Sequence, residues 1–420
     1  MKKLLLFLLC LPIIGFGQQT YVPDDNFESY LESNGMGNGI PNDDYVLNSN
    51  IYMVTNLDVS NQNIIDLTGI EGFYSLDHLY CYSNQLTSID ITQNIFLEEL
   101  ACNDNNLSSL DVTQNIFLNY FDCTFNNLSS LDVTQNDSLR ALYCSNNQLT
   151  TLDVSNNIFL EGLNCSNNLL SSIDVSQNIW LHWFPCENNF LTTIDLSNNT
   201  LLNTFVCHNN LLTSLDVSQN NLLEFFNFSE NQINQIDLSN NPNLIDLVCQ
   251  YNNLTSLDLS NQVALSLLVC GYNNLYDLDL SSNINLTSLW CENNDLVGLE
   301  ITNNPLLNLV ICHNNDLLSL DLRNSSFPND SLFVVHENNP YLFCINVDDV
   351  FYALNYPWVG DSHHYYDTDC NGTTIIDVHN INKDLLRRID LLGRETKRTK
   401  NQPLFYLYDD GTVERRLVIE

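Results

Sequence analysis

The stretch from residue 97 to residue 115 reads Leu97-Glu98-Glu99-Leu100-Ala101-Cys102-Asn103-Asp104-Asn105-Asn106-Leu107-Ser108-Ser109-Leu110-Asp111-Val112-Thr113-Gln114-Asn115. Its apolar and polar positions return every 21 residues over most of the 420-residue chain. A unit this short cannot bury its own apolar side chains, but stacked units share one continuous core. The sequence therefore predicts a repeat solenoid, in which each unit contributes a short strand with one buried face.

Three columns of residues set the register of the repeat. The first column holds Cys81, Cys102, Cys123, Cys144, Cys165, Cys186, Cys207, Cys249, Cys270, Cys291 and Cys312, with Phe228 in the same slot once. An asparagine follows three residues later at Asn84, Asn105, Asn126, Asn147, Asn168, Asn189, Asn210, Asn231, Asn252, Asn273, Asn294 and Asn315. The third column is Asn94, Asn115, Asn136, Asn157, Asn178, Asn199, Asn220, Asn241, Gln262, Asn283 and Asn304. A buried amide left unpaired costs about 1–3 kcal/mol, so we expect these side chains to bond the backbone of their own and adjacent coils.

The cysteine column allows two interpretations. Zinc sites need ligands two to four residues apart in a closed tetrahedron, and parallel thiols one coil apart do not supply that geometry. Disulfides between neighbouring coils fit the allowed Cα distances, but parallel Cβ vectors suit the torsion badly. We expect core packing, as the phenylalanine in the same slot suggests. A redox or metal role stays open.

The pattern LxxLxCxxNxLxxLDVSxN resembles the leucine-rich repeat, with cysteine in the third apolar slot. The resemblance implies a parallel β-strand concave face and a convex face of short β and turn segments. It extends over residues 57–342, and its first unit, from Leu57 to Ile70, is similar to that of bacterial internalin-like proteins. Twelve registered coils at about 4.8 Å each predict a stack on the order of 55 Å long.

We expect both ends of the array to be capped. Residues 18–56 predict a helical N-terminal cap, because Val22 to Leu31 reads as an N-capped amphipathic helix with an acidic first turn. Residues 343–371 form the predicted C-terminal cap, in which Cys344 and Cys370 lie outside the cysteine column. In an oxidising compartment two such cysteines are best paired, so we expect a Cys344–Cys370 disulfide.

The two termini predict export. Residues 1–17 read as a signal peptide, too short to span a membrane, so no transmembrane span is expected. After a linker at 372–382, residues 383–420 become basic and show two alternating strands around an Asp-Gly turn. This tail resembles the C-terminal sorting domain of the Bacteroidetes type IX secretion system. The resemblance implies contact with that secretion machinery and a secreted or cell-surface location across the outer membrane. The alternative is a basic strand pair with no sorting role.

The charge balance excludes some classes of partner. The chain has 51 acidic and 13 basic residues, and between Gln18 and Asn382 the only basic ones are Arg140 and Arg323. A nucleic-acid binder needs many Lys and Arg to neutralise phosphates, so nucleic acid is excluded as a partner of this part. Anionic lipid should be repelled. The net charge of −38 favours a soluble monomer.

No catalytic motif is identifiable, so we expect no enzyme and no cofactor. The eight histidines are scattered, and we expect each at the surface or an edge. The repeat aspartates, from Asp90 onward, are expected to accept turn N–H groups, although a carboxylate column could hold Ca²⁺. Asp367 to Gly372 matches the start of a calcium loop, but the twelfth position is Val378 where a bidentate glutamate belongs. A polar turn is the alternative.

The predicted function is partner binding by outward side chains beside the cysteines on the concave strands. The candidate partner-binding residues are Tyr80, Tyr82, Tyr120, Phe125, Tyr143, Trp183, Phe225, Tyr251, Tyr272 and Trp290, with Val206, Val248, Val269 and Ile311 in later coils. Aromatic rings beside polar groups are typical of recognition surfaces. The partner is expected to be an extracellular protein, bound in adhesion or scaffolding. A polysaccharide ligand and an inert surface scaffold are the alternatives.

Overall fold

The computed structural model describes residues 18–323, 332–356 and 358–370, together with the backbone of three strands near the C-terminus. The predicted signal peptide, the linker at 372–382 and the turns of the tail lie outside the described residues. Asn371, Gly372 and Val378 of the possible calcium loop do so as well.

A parallel sheet of 14 strands runs along the solenoid. Its strands are β3 (Asn56–Asp58), β4 (His78–Tyr80), β5 (Glu99–Ala101), β6 (Tyr120–Asp122), β7 (Ala141–Tyr143), β8 (Gly162–Asn164), β9 (Trp183–Pro185), β10 (Thr204–Val206), β11 (Phe225–Asn227), β12 (Asp246–Val248), β13 (Leu267–Val269), β14 (Ser288–Trp290), β16 (Leu309–Ile311) and β18 (Phe333–Val335). Consecutive strands pair in register, as Leu79 does with Leu100 and Leu100 with Phe121. The solenoid predicted from the 21-residue period is confirmed.

Each strand is only three residues long because each coil uses one strand and then turns. The middle residue of every strand, such as Leu142 or Phe205, is fully buried, while the first and third point outward. The buried leucines of successive coils form one continuous core from the N-terminal cap to the last coils. Three phenylalanines in adjacent strands, Phe184, Phe205 and Phe226, stack with ring centroids 5.7 Å apart.

The opposite side of the coils carries turns and, near the C-terminus, a second parallel sheet. In most coils an aspartate closes a turn there: Asp111 Oδ1 accepts from the Thr113 amide at 2.9 Å and from the Thr113 hydroxyl at 2.7 Å. The last coils pair instead as strands β15 (Gly298–Glu300), β17 (Ser319–Asp321), β19 (Cys344–Asn346) and β20 (Tyr365–Asp367). The short β and turn segments predicted for this side are present.

The N-terminal cap is mixed, whereas a helical cap was predicted. It contains the two-stranded antiparallel pair β1 (Gln19–Tyr21) and β2 (Tyr45–Leu47), the helix α1 (Asp25–Ser33) and the single-turn helix α2 (Asn48–Ile51). Asp24 begins α1, accepting from the Asn26 and Phe27 amides at 2.9 Å. The sequence signals identified α1, but the three-residue strands are too short to show an alternating pattern.

The C-terminal cap closes the core with a helix, a strand and a disulfide. Helix α3 (Val350–Asn355) precedes β20, which pairs with β19. The structure contains the Cys344–Cys370 disulfide, with the two Cα atoms 5.7 Å apart. Trp358 Nε1 donates to the Leu332 carbonyl at 2.7 Å. The disulfide closes the cap on itself, and the tryptophan holds the cap against the last coils.

The C-terminal tail contains a three-stranded antiparallel sheet, where two strands were predicted. Its strands are β21 (Leu385–Ile389), β22 (Pro403–Tyr408) and β23 (Val413–Leu417). The first of them, Leu-Leu-Arg-Arg-Ile, lacks an alternating pattern of apolar and polar residues, so periodicity did not identify it. None of the described helices is long and apolar enough to cross a bilayer.

Candidate functional site: the strand face

The cysteine column is part of the core. Each cysteine lies one residue beyond its strand and is fully buried. Its amide continues the backbone hydrogen bonding between strands, as Cys81 N donates to the Ala101 carbonyl at 2.8 Å. We call the twelve positions of the cysteine column the ladder positions. All eleven ladder cysteines of the described residues are unbridged. Burial raises the pKa of Cys81, Cys144 and Cys312 to about 12. Thiols that remain protonated are poor nucleophiles and metal ligands, which favours the packing role.

The first asparagine column ties neighbouring coils together. Asn105 Oδ1 accepts from the Leu86 amide at 3.0 Å, while its Nδ2 donates to the carbonyls of Cys81 at 3.0 Å and Cys102 at 3.1 Å. This pattern of bonds repeats along the column. The second asparagine column, from Asn94 to Asn304, also bonds to the preceding coil. Asn115 Nδ2 donates to the Ile91 carbonyl at 3.0 Å and to the Asn94 carbonyl at 2.9 Å. These bonds make the long sheet a rigid support for its outward residues.

The predicted concave face corresponds to the outward side of the long sheet. We call the first and third residues of its 14 strands the strand face. Strand pairing brings Tyr120, Ala141, Gly162 and Trp183 into one row. Because Ala141 and Gly162 are small, Tyr143 contacts the rings of Tyr120 and Trp183 at centroid distances of 5.6 and 5.7 Å. The N-terminal half of the strand face thus carries an aromatic cluster.

The C-terminal half of the strand face is mainly aliphatic. Val206, Val248, Val269 and Ile311 lie there half-buried, as predicted. Four further apolar residues on this half of the strand face were not predicted: Leu267 and Leu309 on two of the same strands, and Phe333 and Val335 on β18. Counting three residues back from each ladder position would have found Leu267, Leu309 and Phe333. Other coils have Thr, Asp or Ser three residues before the ladder position, so the apolar residues at this position do not form an evident pattern in the sequence.

Four of the ten candidate aromatic residues are not on the strands. Tyr80, Tyr120, Tyr143, Trp183, Phe225 and Trp290 are strand-face residues. Tyr82 follows Cys81, while Phe125, Tyr251 and Tyr272 lie two residues after their ladder positions with φ of 52–54°. Placing these four on the strands was wrong, because each strand ends before the cysteine and the chain then turns. Periodicity fixes the repeat but not the residue at which the strand ends.

The position two residues after the cysteine column is left-handed, and asparagine occupies it in six of the twelve coils. Asn tolerates this conformation, whereas an aromatic side chain adopts it at a cost of about 1–2 kcal/mol. Phe125, Tyr251 and Tyr272 adopt this conformation, although their side chains are 59%, 44% and 39% exposed, respectively. Tyr251 and Tyr272 stack at 4.1 Å. These aromatic residues form an exposed rim beside the strand face.

The strand face is acidic. Its 28 residues contain no Lys or Arg, while Glu99, Asp122 and Asp246 point outward on it. Burial raises the pKa of the Asp122 and Asp246 carboxyls because it removes water from the charged form. The Tyr80 hydroxyl donates to Glu99 Oε2 at 2.6 Å, a bond that raises the pKa of Tyr80 to about 12. A partner that brings a cation would relieve these desolvated carboxylates.

The histidine expectation was wrong for His336, which is fully buried in the slot that the cysteines occupy. Its Nδ1 lies 2.9 Å from His364 Nδ1, and its Nε2 lies 3.2 Å from the Tyr366 hydroxyl. His364 Nδ1 accepts from the Asp361 amide, and its Nε2 lies 3.3 Å from the Asn339 carbonyl. His364 must therefore donate through Nε2, which makes His336 Nδ1 a donor. Burial lowers the pKa of His336 to about 4.

Asp361, His363 and His364 place potential metal ligands within 4.8 Å of one another. Both ring nitrogens of His364 already hold bonds inside the cap. Exposed His363 lies with its ring 5.4 Å from that of Phe343. We assign this group to cap packing. The repeat aspartates bond their own turns as predicted, and their suggested calcium role stays a prediction.

Comparison with known proteins places the fold. No family model matches the chain, and no curated protein matches it. Among solved structures, the functional domain of InlJ from Listeria monocytogenes, which includes a cysteine ladder, matches with a TM-score of 0.74. The two are 28% identical over 97% of this chain and 100% of that one. This chain has the fold of an internalin-type leucine-rich-repeat solenoid.

Two further structures support the same fold. An internalin, inlF of the same species, matches with a TM-score of 0.61 at 18% identity, over 84% of this chain and 96% of that one. The leucine-rich-repeat protein LIC12759 of Leptospira interrogans matches with a TM-score of 0.54 at 21% identity, over 62% and 78%. The internalin-like resemblance read from the repeat is thus confirmed at the level of fold.

Proposed function

We propose that this leucine-rich-repeat solenoid is a non-enzymatic binding protein that recognises another protein through its strand face. The observation that carries the proposal is the outward side of the registered strands, where aromatic residues such as Tyr143 and Trp183 and aliphatic residues such as Val269 recur among polar ones. Large apolar contacts held on a rigid sheet are the composition of interface cores. The internalin-type solved structures support this class of function.

The acidic character of the strand face indicates which kind of partner surface would complement it. Desolvated carboxylates such as Asp122 lie beside apolar rings, and the face offers no cation of its own. A complementary surface would combine apolar side chains with Lys or Arg. We therefore infer a partner with a basic, apolar patch, bound more weakly as salt concentration rises.

A polysaccharide is the second candidate, since aromatic rings can stack on sugars. Tyr120 and Tyr143 meet at an interplanar angle of 77°, and Tyr143 and Trp183 at 84°. These edge-to-face contacts do not place the rings in one plane for an extended sugar chain. The arrangement favours a protein.

Binding is tested with a matched pair of tryptophans in one coil. The purified protein is screened against arrays of extracellular proteins and of glycans, and affinity for hits is measured by interferometry. Trp183→Ala should weaken binding about 30-fold, the effect of losing a central aromatic anchor. Trp180, 49% exposed and outside the strands, is the control, and Trp180→Ala should leave affinity unchanged. Equal effects of both substitutions, or glycan hits alone, would contradict the proposal.

We further propose that the protein is exported as a monomer, and that its tail serves type IX secretion so that the solenoid is secreted or displayed at the cell surface. The apolar N-terminal segment, the cap disulfide and the three-stranded tail sheet support this proposal. Mass spectrometry of surface and medium fractions should find repeat peptides without peptides of residues 385–420. Full-length chains retained in the periplasm would argue against a sorting tail.

A further inference from the structure

The N-terminal cap contains a buried carboxylate with one unpartnered oxygen. Glu28 lies on α1 and is only 1% exposed. Its Oε1 accepts from the Asp43 amide at 3.1 Å, while its Oε2 has no hydrogen-bond partner among the described residues. Buried Asp24 differs, because both of its oxygens accept backbone amides. A buried carboxylate oxygen without a partner is costly, so something must compensate it.

Two more carboxylates lie beside that of Glu28. Glu28, Asp25 and Asp44 each place a carboxylate oxygen within 4.8 Å of the other two. Asp25 lies one helical turn before Glu28 and therefore on the same face of α1. Asp44 is held in place by its own backbone, since its carbonyl accepts from the Val22 amide at 2.8 Å. The cluster thus joins the first turns of α1 to the loop that returns to β2.

The described part of the chain supplies no cation to this cluster. Between Gln18 and Leu139 the sequence contains no Lys or Arg. No salt bridge to Asp25, Glu28 or Asp44 occurs within the described residues. Three carboxylates this close, one of them buried, repel one another, and a cation held between them would offset that repulsion.

We propose that Asp25, Glu28 and Asp44 bind a calcium ion that fastens the N-terminal cap. The donors are all oxygen, which suits hard cations and excludes sites selective for zinc or copper. Calcium fits better than magnesium because it tolerates irregular geometry and fills its remaining positions with water. Water can reach the ion from the side of exposed Asp25.

The ion would act on the loop that closes the solenoid. Glu32, one turn further along α1, accepts from the Asn38 amide at 2.6 Å and the Gly39 amide at 3.0 Å. Glu28 accepts from Asp43, and the calcium ion adds Asp44. The same face of α1 therefore holds the loop from residue 35 to residue 44 at three points: through Glu32, through Glu28 and through the calcium ion. This inference does not depend on the binding function proposed above.

The test is calcium titration of the purified full-length chain after chelation, followed by calorimetry and by hydrogen exchange of peptides from residues 18–56. We expect one ion per chain, with a dissociation constant on the order of 10⁻⁴ M or tighter. Calcium should slow exchange in the cap. Glu28→Gln keeps the acceptor for Asp43 but removes the charge, and should weaken binding about tenfold or more.

Two other variants keep the test decisive. Asp25 is exposed, so Asp25→Asn should fold even if Glu28→Gln does not, and it should also weaken binding. Asp137 is an exposed acid of the repeat array, and Asp137→Asn should change nothing. The inference is overturned if cap exchange is the same in calcium and chelator. It is also overturned if calcium binds equally well to the Asp25 and Glu28 variants.

Discussion

Acidification should open the C-terminal cap, because buried His336 must stay neutral. Its pKa is lowered from 6.5 to about 4, first by burial and then by neighbouring His364, while Asp361 raises it slightly. The stability that neutral His336 contributes is present above pH 6.5 and is lost as pH falls to about 4. The difference between these two pKa values corresponds to about 3 kcal/mol.

The local geometry explains why a second proton is also resisted. His364 Nδ1 faces the Asp361 amide and the donating Nδ1 of His336, so protonating it would bring donors together. Burial lowers the pKa of His364 as well. The Tyr366 hydroxyl lies on the other side of His336, 3.2 Å from Nε2. Protonation at low pH therefore weakens the hydrogen bonds of both imidazoles and does not strengthen the contact between them.

Hydrogen exchange measured by mass spectrometry checks this prediction. Between pH 7.5 and pH 4.5, protection of peptides from residues 332–367 should fall about 100-fold after correction for intrinsic exchange, while peptides from the central coils change little. His336→Cys restores the ladder residue and should remove most of the effect, whereas exposed His182→Gln should not. Equal loss of protection in all coils, or unchanged protection in the cap, would refute the reasoning.

Two further predictions concern the ladders. Asn168→Leu removes the bonds to the Leu149 amide and to two cysteine carbonyls, and should lower the free energy of unfolding by about 3 kcal/mol in denaturant titration. Exposed Gln177→Leu is its control, and a loss of equal size there would contradict the structural role. The eleven ladder thiols should resist alkylation at pH 8 in the native protein and react only after unfolding, because burial keeps them protonated. Rapid labelling of native protein would show that the ladder opens.

The internal period was sufficient to predict the main structural roles. Asn105 and its successors could be assigned inward positions because a polar residue recurring at one slot of an apolar repeat must be buried and bonded. Recurrence at one slot also placed cysteine in the core, whereas the Cys344–Cys370 pair was predicted because both cysteines lie outside the column. Val206, Val248, Val269 and Ile311 were found on the correct face because each precedes a ladder position.

The sequence could not show where each strand ends or which distant side chains meet. Phe125 and Tyr251 lie in turns because the three-residue strand stops before the cysteine, a boundary that depends on how coils stack. His336 was expected at the surface, since a single histidine gives no sign of its burial.

The repeat by itself determined that the chain stacks into a solenoid with cysteine and asparagine inside, because a 21-residue unit has no other way to bury its apolar side chains. Only the tertiary structure decided that Tyr143 bridges two coils to Trp183, that His336 meets His364, and that Glu28 meets Asp44. These contacts join residues that are distant in sequence or lie in non-repeating caps, where no period exists to reveal them.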